Sequence, residues 1–195
     1  HGNINLKNAI IESSNTFFFS LAYKSDIEKL TEYLSNFGFG KNVCVDCFLP
    51  DKGLLPTPTW KMNNLNFGWL KGDTVNLGVG QGYMSATPIQ LAYYSAFLAN
   101  KGTLNEFSFV QDSIENTKNI LIADNINDYD WENLHASMIG VIDSPKGTAG
   151  RLRKLKNFTI AAKSGTVELV STETKEDYKI IREVEEKRDH AIIIA

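Results

Sequence analysis

An apolar stretch of strand character, Phe158-Thr159-Ile160-Ala161-Ala162, runs without a break into Lys163-Ser164-Gly165-Thr166. Successive side chains of a strand alternate between faces, so this junction predicts one sheet edge that carries a fixed cation, two hydroxyls and a glycine. Such an edge suits an extended peptide ending in a carboxylate, because the strand backbone remains available for pairing. Lys163 and Thr166 are placed to hold the carboxylate. Gly165 removes a side chain where a substrate backbone must come close, and the N–H of Thr166 is placed to face a developing oxyanion. The same residues also fit a strand that ends in a turn, since Ser and Gly are ordinary turn formers.

A chain of 195 residues is long enough for one core, and it reads as one folded unit. Its net charge of -3, with the two signs evenly mixed, offers no basic footprint for nucleic acid and no polybasic arm for anionic lipid. No apolar stretch approaches membrane-spanning length. The chain begins at His1 and stops inside the apolar run Ala191-Ile192-Ile193-Ile194-Ala195, which would leave a sticky half-strand, so it reads as a fragment. Cys44 and Cys47 form one C-x-x-C. Val43 to Leu49 alternates like a short strand, which would send the two sulfurs to opposite faces, and no second Cys/His cluster completes a zinc site. The pair therefore reads as structural thiols.

Residues Asn5 to Tyr23 have helical spacing broken at Ser13-Ser14-Asn15, small polar residues that favour caps over helix interiors. This predicts a helix, a polar break, and a second helix whose stripe of Phe17, Phe18, Leu21 and Ala22 packs in the core. A further helix fits Asp26 to Phe37, stopped by Gly38 and Gly40. Residues Pro50 to Asp73 lack a steady period and read as a long surface-crossing segment. Gly78-Val79-Gly80-Gln81-Gly82 lacks the Lys-Ser/Thr ending of a phosphate loop. Thr87-Pro88 then starts a helix that runs to Asn100. Phe107 to Asp128 is the least readable stretch, and Trp131 to Ile142 is helical again. Gly147-Thr148-Ala149-Gly150 marks a sharp turn, Arg151, Arg153, Lys154 and Lys156 read as a solvated edge, and Thr172 to Lys187 as an exposed charged excursion.

Set beside Lys163-Ser164-Gly165-Thr166, the Ser13-x-Asn15 break gains meaning, because two separated polar motifs of these types recur in one acyl-transfer architecture. With them go F-G-W-L-K-G-D-T-V-N-L-G-V-G-Q-G-Y-M-S-A-T-P-I-Q-L-A, S-P-K-G-T-A-G and I-A-A-K-S-G-T-V. In these stretches the chain resembles the transpeptidase domain of class B penicillin-binding proteins, most closely the penicillin-binding protein 2 type that serves cell elongation. That family carries S-x-x-K, then S-x-N or S-x-D, then K-[ST]-G. The second and third motifs are present here, whereas no Ser of this chain has Lys three positions later. The resemblance thus implies a partial transpeptidase domain over residues 1–195, truncated at both ends, with the nucleophilic Ser and basic Lys upstream.

The implied fold is α/β (α+β), of the penicillin-binding protein and serine β-lactamase type, with an antiparallel five-stranded sheet flanked by helices and incomplete here. The implied activity is that of a peptidoglycan D,D-transpeptidase which cross-links stem peptides through an acyl-serine and binds penicillin. Ser13 would relay a proton to the leaving nitrogen, Asn15 would bond the substrate amide, and Lys163, Ser164 and Thr166 would hold the carboxylate beside the Gly165 backbone. The resemblance implies no cofactor and no metal; His1, His135 and His190 read as structural. It implies stem peptides and β-lactams as ligands and a membrane glycosyltransferase as partner. It further implies a place on the periplasmic face of the inner membrane, held by an N-terminal anchor. A serine β-lactamase, a β-lactam sensor and a non-catalytic scaffold of the wall-synthesis complex are the alternatives.

Overall fold

A computed structural model describes residues 2–47, 51–104, 107–110, 120–121, 126–155, 157–167 and 190–195. Seven helices are described: α1 (Leu6–Ile11), α2 (Asn15–Lys24), α3 (Ile27–Asn36), α4 (Pro58–Leu65), α5 (Lys71–Leu77), α6 (Pro88–Ala99) and α7 (Asp128–Asp143). The described strands are β1 (Thr103–Leu104), β2 (Ile120–Leu121), β3 (Lys163–Val167) and β4 (His190–Ile194), which form two antiparallel pairs, β1 with β2 and β3 with β4. None of the described helices is long and apolar enough to cross a membrane. The chain divides into two compact units, one of Ser14–Leu134, the other of Gly2–Ser13 with His135–Ala195. His1, Thr172 to Lys187 and parts of the Phe107 to Asp128 stretch lie outside the described residues.

In the first unit an aromatic core forms around Phe97 of α6, which is 2% exposed and lies 4.6 Å from Phe37 and 5.7 Å from Trp131 between ring centroids. The start of α6 is fixed by Thr87 and Gln90: the Gln90 N–H donates to Thr87 Oγ1 at 3.3 Å, and the Thr87 N–H donates to Gln90 Oε1 at 2.9 Å. With Pro88 in the first turn, these bonds satisfy donors that a helix start would otherwise leave orphaned. Gln90 is itself buried, and its Nε2 donates to the carbonyls of Gly38, Lys41 and Lys52 at 2.8–3.0 Å. One amide thus ties the Gly38–Lys41 turn and the Lys52 segment to α6.

Four local expectations are corrected in this unit. The segment from Pro50 to Asp73 is not irregular throughout, since it holds α4 and the start of α5. Both are short helices set by caps rather than by a long apolar period. Thr57 Oγ1 accepts from the Trp60 N–H at 3.0 Å to open α4, and Asp73 Oδ2 accepts from the Leu70 N–H at 2.7 Å to open α5. The same Asp73 oxygen takes a bond from Lys61 Nζ at 2.6 Å, a buried pair that joins the two helices. The α2 stripe is only partly internal: Ala22 is buried, Phe17 and Phe18 are half-buried, and Leu21 is 52% exposed. Residues 43–47 do not form a strand; Cys44 makes one isolated parallel bridge to Phe107. Asp46 bends the chain there, because its carboxylate accepts from the Ser108 hydroxyl and from the N–H groups of Phe109 and Val110. Cys44 and Cys47 are consequently brought together as a disulfide, not left as free thiols.

The second unit is built where α1 meets the later turns of α7. A Cβ on Gly140 would lie 2.7 Å from Ile11 Cδ1, so the glycine is what lets Ile11 seat on α7. Around this contact Val141, Ile142, Ala149 and Ala162 form a buried cluster, against which Ile10, Leu152 and Ile160 pack. Phe158 to Ala162 approaches as irregular extended chain and not as strand. Phe158 is 75% exposed, and Ala162 is fully buried with its N–H donating to Met138 O at 3.1 Å. The strand begins only at Lys163, so the K-S-G-T residues lie within β3 and not beyond its end. β3 and β4 pair in the register Lys163↔Ile194, Gly165↔Ile192 and Val167↔His190. Gly150–Lys154 forms a 3-10 turn, and Arg153, exposed as expected of a solvated edge, also ties the turn down: its Nε and Nη2 donate to Ile142 O, and Nη2 also to Ser144 O.

Candidate active site

Within the second unit, α1 ends at Ile11 and the chain turns at Ser13, whose φ of 51° lies in the left-handed region. A non-glycine residue pays roughly 1–2 kcal/mol for that conformation. The turn is held by the Ser13 N–H donating to Ile10 O at 3.2 Å, and beside it Glu12 pairs with Lys146 at 3.2 Å. What the turn accomplishes is to aim the Ser13 hydroxyl at β3. Lys163 Nζ donates to Ser13 Oγ at 2.7 Å, joining two residues 150 positions apart, and donates to Ser164 O at 2.7 Å.

Ser13 therefore does not serve as the cap of α2. That position belongs to Ser14, which is buried and places its Oγ 3.3 Å from Thr16 Oγ1. Asn15 opens α2, is exposed, and belongs with that helix to the first unit.

Lys163 is half-buried, and burial pushes its ammonium below the ordinary lysine value of 10.5. Among the described residues it donates to two neutral oxygens and to no carboxylate, so its charge stays available to an anion. Beside it, Ser164 Oγ lies 2.6 Å from Thr148 Oγ1. Gly165 and Thr166 are exposed, and among the described residues a Cβ built on Gly165 would meet nothing within 4 Å. Among the described residues β3 has β4 as its only strand partner.

Of the residues singled out from sequence, Ser13, Lys163 and Ser164 are joined through hydrogen bonds, and Gly165 and Thr166 follow on the same strand. Thr148 is the residue that sequence reasoning passed over, as part of a turn. The available signal was its place in S-P-K-G-T-A-G, a stretch resembling the family that contains no motif of its own. Chemically, the group offers a cation, a hydroxyl fed by that cation, and a strand edge bearing further hydroxyls. Such an arrangement binds an anion and moves a proton.

Comparison with known proteins gives the family of the chain. The model of the penicillin binding protein transpeptidase domain matches residues 1–193. Peptidoglycan D,D-transpeptidase MrdA of Escherichia coli K12 is 32% identical over 203 residues, covering 100% of this chain and 32% of the relative. MrdA of Acinetobacter baumannii is 33% identical over 201 residues, covering 100% and 30%. Among solved structures, the complex of PBP2 with MreC from Helicobacter pylori superposes with a TM-score of 0.80 at 30% identity, covering 99% of this chain and 33% of that one. Pseudomonas aeruginosa PBP2 in complex with WCK 5153 gives 0.78 at 33% identity, covering 97% and 40%. The chain spans about a third of the length of the MrdA relatives it matches. Its helices and small antiparallel sheets are those of a partial penicillin-binding protein transpeptidase fold, and the chain belongs to the penicillin-binding protein transpeptidase domain family.

Proposed function

We propose that these residues form the substrate-carboxylate and proton-relay side of a peptidoglycan D,D-transpeptidase of cell-wall elongation. The observation that carries this reading is the 2.7 Å bond from Lys163 Nζ to Ser13 Oγ, which links the first residue of K-S-G-T to the first of S-x-N. Because Lys163 donates to Ser13, the Ser13 proton is directed elsewhere, toward the leaving nitrogen of a D-alanyl-D-alanine end. The ammonium supplies positive potential for the terminal carboxylate, with the Ser164 and Thr166 hydroxyls as donors. The open space over Gly165 suits close approach of a substrate backbone, and the Thr166 N–H supplies one oxyanion donor, worth roughly 10²–10³ in rate. Asn15 bonds the stem-peptide amide through its neutral carboxamide. The nucleophilic serine and its lysine base come from an S-x-x-K in the remainder of the whole protein, and residues 1–195 are part of one transpeptidase domain.

The same reading places the whole protein at the periplasmic face of the inner membrane, anchored by an N-terminal helix. Its partners are a membrane glycosyltransferase and, in keeping with the Helicobacter pylori complex, an MreC-type protein. Incubation of the whole protein with a fluorescent penicillin is expected to give a slowly hydrolysed adduct on a serine outside residues 1–195. The isolated 195-residue chain is expected to give none. Rapid penicillin turnover by the whole protein would favour a hydrolase, and a stoichiometric adduct on the isolated chain would overturn the assignment of the nucleophile.

A further inference from the structure

We infer that Thr148 is a positioning residue that turns the Ser164 hydroxyl into a donor for carboxylate-ended substrates, an inference that rests on the transpeptidase reading above. Thr148 lies in a turn whose backbone is fixed on both sides while its side chain reaches the surface. The Gly147 N–H donates to Ser144 O at 2.9 Å, and the Ala149 N–H donates to Val141 O at 3.0 Å with Ala149 buried. Gly147 itself admits no side chain, since a Cβ there would fall 2.7 Å from Gly140 O and closer still to Val141 O. Arg153 occupies the neighbouring carbonyls of Ile142 and Ser144. The carbonyls at the end of α7 are thus engaged by the turn that carries Thr148.

On the other side Ser164 is held by the β3–β4 register opposite Ile193, and its carbonyl accepts from Lys163 Nζ. Two anchored backbones therefore bring Thr148 Oγ1 to 2.6 Å from Ser164 Oγ. Each hydroxyl has one proton, so the direction of this bond is a choice between two states. If Ser164 donates to Thr148, it faces the ligand as an acceptor only and repels an anion. If Thr148 donates to Ser164, the Ser164 proton is released toward the ligand. A carboxylate selects the second state, and the row becomes Thr148 hydroxyl to Ser164 hydroxyl to carboxylate, next to the Lys163 charge. Threonine suits the task because its branched Cβ restricts the rotation of the hydroxyl it carries. Thr148 would not touch the substrate; it would act through Ser164.

The test compares acylation of the whole protein by benzylpenicillin and by its methyl ester, in which the carboxylate is neutralised. The wild-type preference for the acid is expected to fall about tenfold in Thr148→Val, which keeps the shape and loses the hydroxyl, a size expected for one hydrogen bond to a charged group. Thr148→Ser is expected to restore the preference. In a Ser164→Ala background, Thr148→Val is expected to add no further loss of preference. An unchanged acid-to-ester ratio in Thr148→Val, or equal losses in the two backgrounds, would overturn the role of Thr148 and leave the transpeptidase reading standing. Failure of the wild-type protein to be acylated by either compound would overturn that reading, and this inference with it.

Discussion

Ser13 carries two separable features, a left-handed backbone and a hydroxyl bonded to Lys163, and two substitutions divide them. Ser13→Ala removes the hydroxyl and keeps the strained backbone. Ser13→Gly removes the hydroxyl and relaxes the backbone. Loss of the bond from Lys163 costs about 1 kcal/mol, less than the roughly 1.5–3 kcal/mol of a charged bond, because Nζ is half-buried and retains Ser164 O as an acceptor. At φ 51° alanine still pays roughly 1–2 kcal/mol, which glycine does not. Glycine loses back about 0.4–1 kcal/mol through the greater freedom of its unfolded chain. The net expectation is that Ser13→Gly is about 0.5–1 kcal/mol more stable than Ser13→Ala and lies close to wild type.

Urea unfolding of the whole protein, followed by a probe in this domain, measures the difference. With a slope of about 1–3 kcal/mol per molar urea, the two midpoints should differ by roughly 0.2–1 M. Acylation by penicillin should behave otherwise. Both variants lack the proton relay, and both are expected to lose about 10²–10⁴ in rate irrespective of their stabilities. A glycine variant no more stable than the alanine variant would refute the strain argument. Near-wild-type acylation in either would refute the relay, since a hydroxyl that only shapes a turn should be dispensable once the turn forms.

Three further outcomes are expected. Because burial lowers the Lys163 pKa, the unfolded chain holds its proton more tightly, so this residue's contribution to stability should rise with pH between its lowered folded value and 10.5. Denaturation midpoints across that window should slope upward more in wild type than in Lys163→Met, and equal slopes would refute this. Gln90→Leu should cost about 2–4 kcal/mol, because it strands the buried Gly38 carbonyl, takes the donor from the part-buried carbonyls of Lys41 and Lys52 and removes the reciprocal bond to Thr87; calorimetry showing a change within 0.5 kcal/mol, about the size expected of an ordinary surface change, would refute the staple. The Cys44–Cys47 disulfide closes a short loop with a sequence separation of 3, so Cys44→Ser with Cys47→Ser should cost roughly 2 kcal/mol by chain entropy, read as a lower melting temperature that added dithiothreitol no longer shifts.

What was legible from sequence was chemistry carried by residue type and helices announced by caps. Ser13 and Lys163 stand 150 positions apart, yet their side-chain chemistry makes the pair readable once both motifs are seen in order. Thr87-Pro88 announced α6, and Asp26, which accepts from the Lys29 N–H at 3.0 Å, announced α3. Thr57-Pro58 is the same signal as Thr87-Pro88, but α4 has 8 residues, too few for an apolar period to emerge. Alternation around the C-x-x-C suggests a strand and so conceals the disulfide. The side chain of Asp46 instead draws the backbone to residues 108–110, a long-range contact with no local signature. Gln90 escaped notice for a related reason: a polar residue on a helix reads as surface, and its burial depends on three carbonyls supplied by distant loops.

Gly147 and Gly165 look alike in sequence, each beside a threonine or serine in a polar turn-like context, and the structure separates them. Gly147 is required by the protein's own backbone, because the carbonyls of Val141 and Gly140 occupy the place of a side chain. Among the described residues nothing nearby requires Gly165, since a methyl group there would meet none of them within 4 Å, and a strand interior loses roughly 0.5–1 kcal/mol by holding glycine in place of alanine. Ser13 in turn holds a backbone conformation that glycine would adopt more cheaply, and Lys163 keeps its charge half out of water with neutral acceptors and no anion beside it among the described residues. Each choice is locally unfavourable, and sequences that fold reliably are otherwise consistent from level to level. Three such departures lie on one strand edge and the turn bonded to it. Packing supplies no reason for any of them, whereas a carboxylate-ended peptide on that edge would supply all three: space for its backbone, a cation for its terminus and a directed hydroxyl for the proton that its cleavage requires.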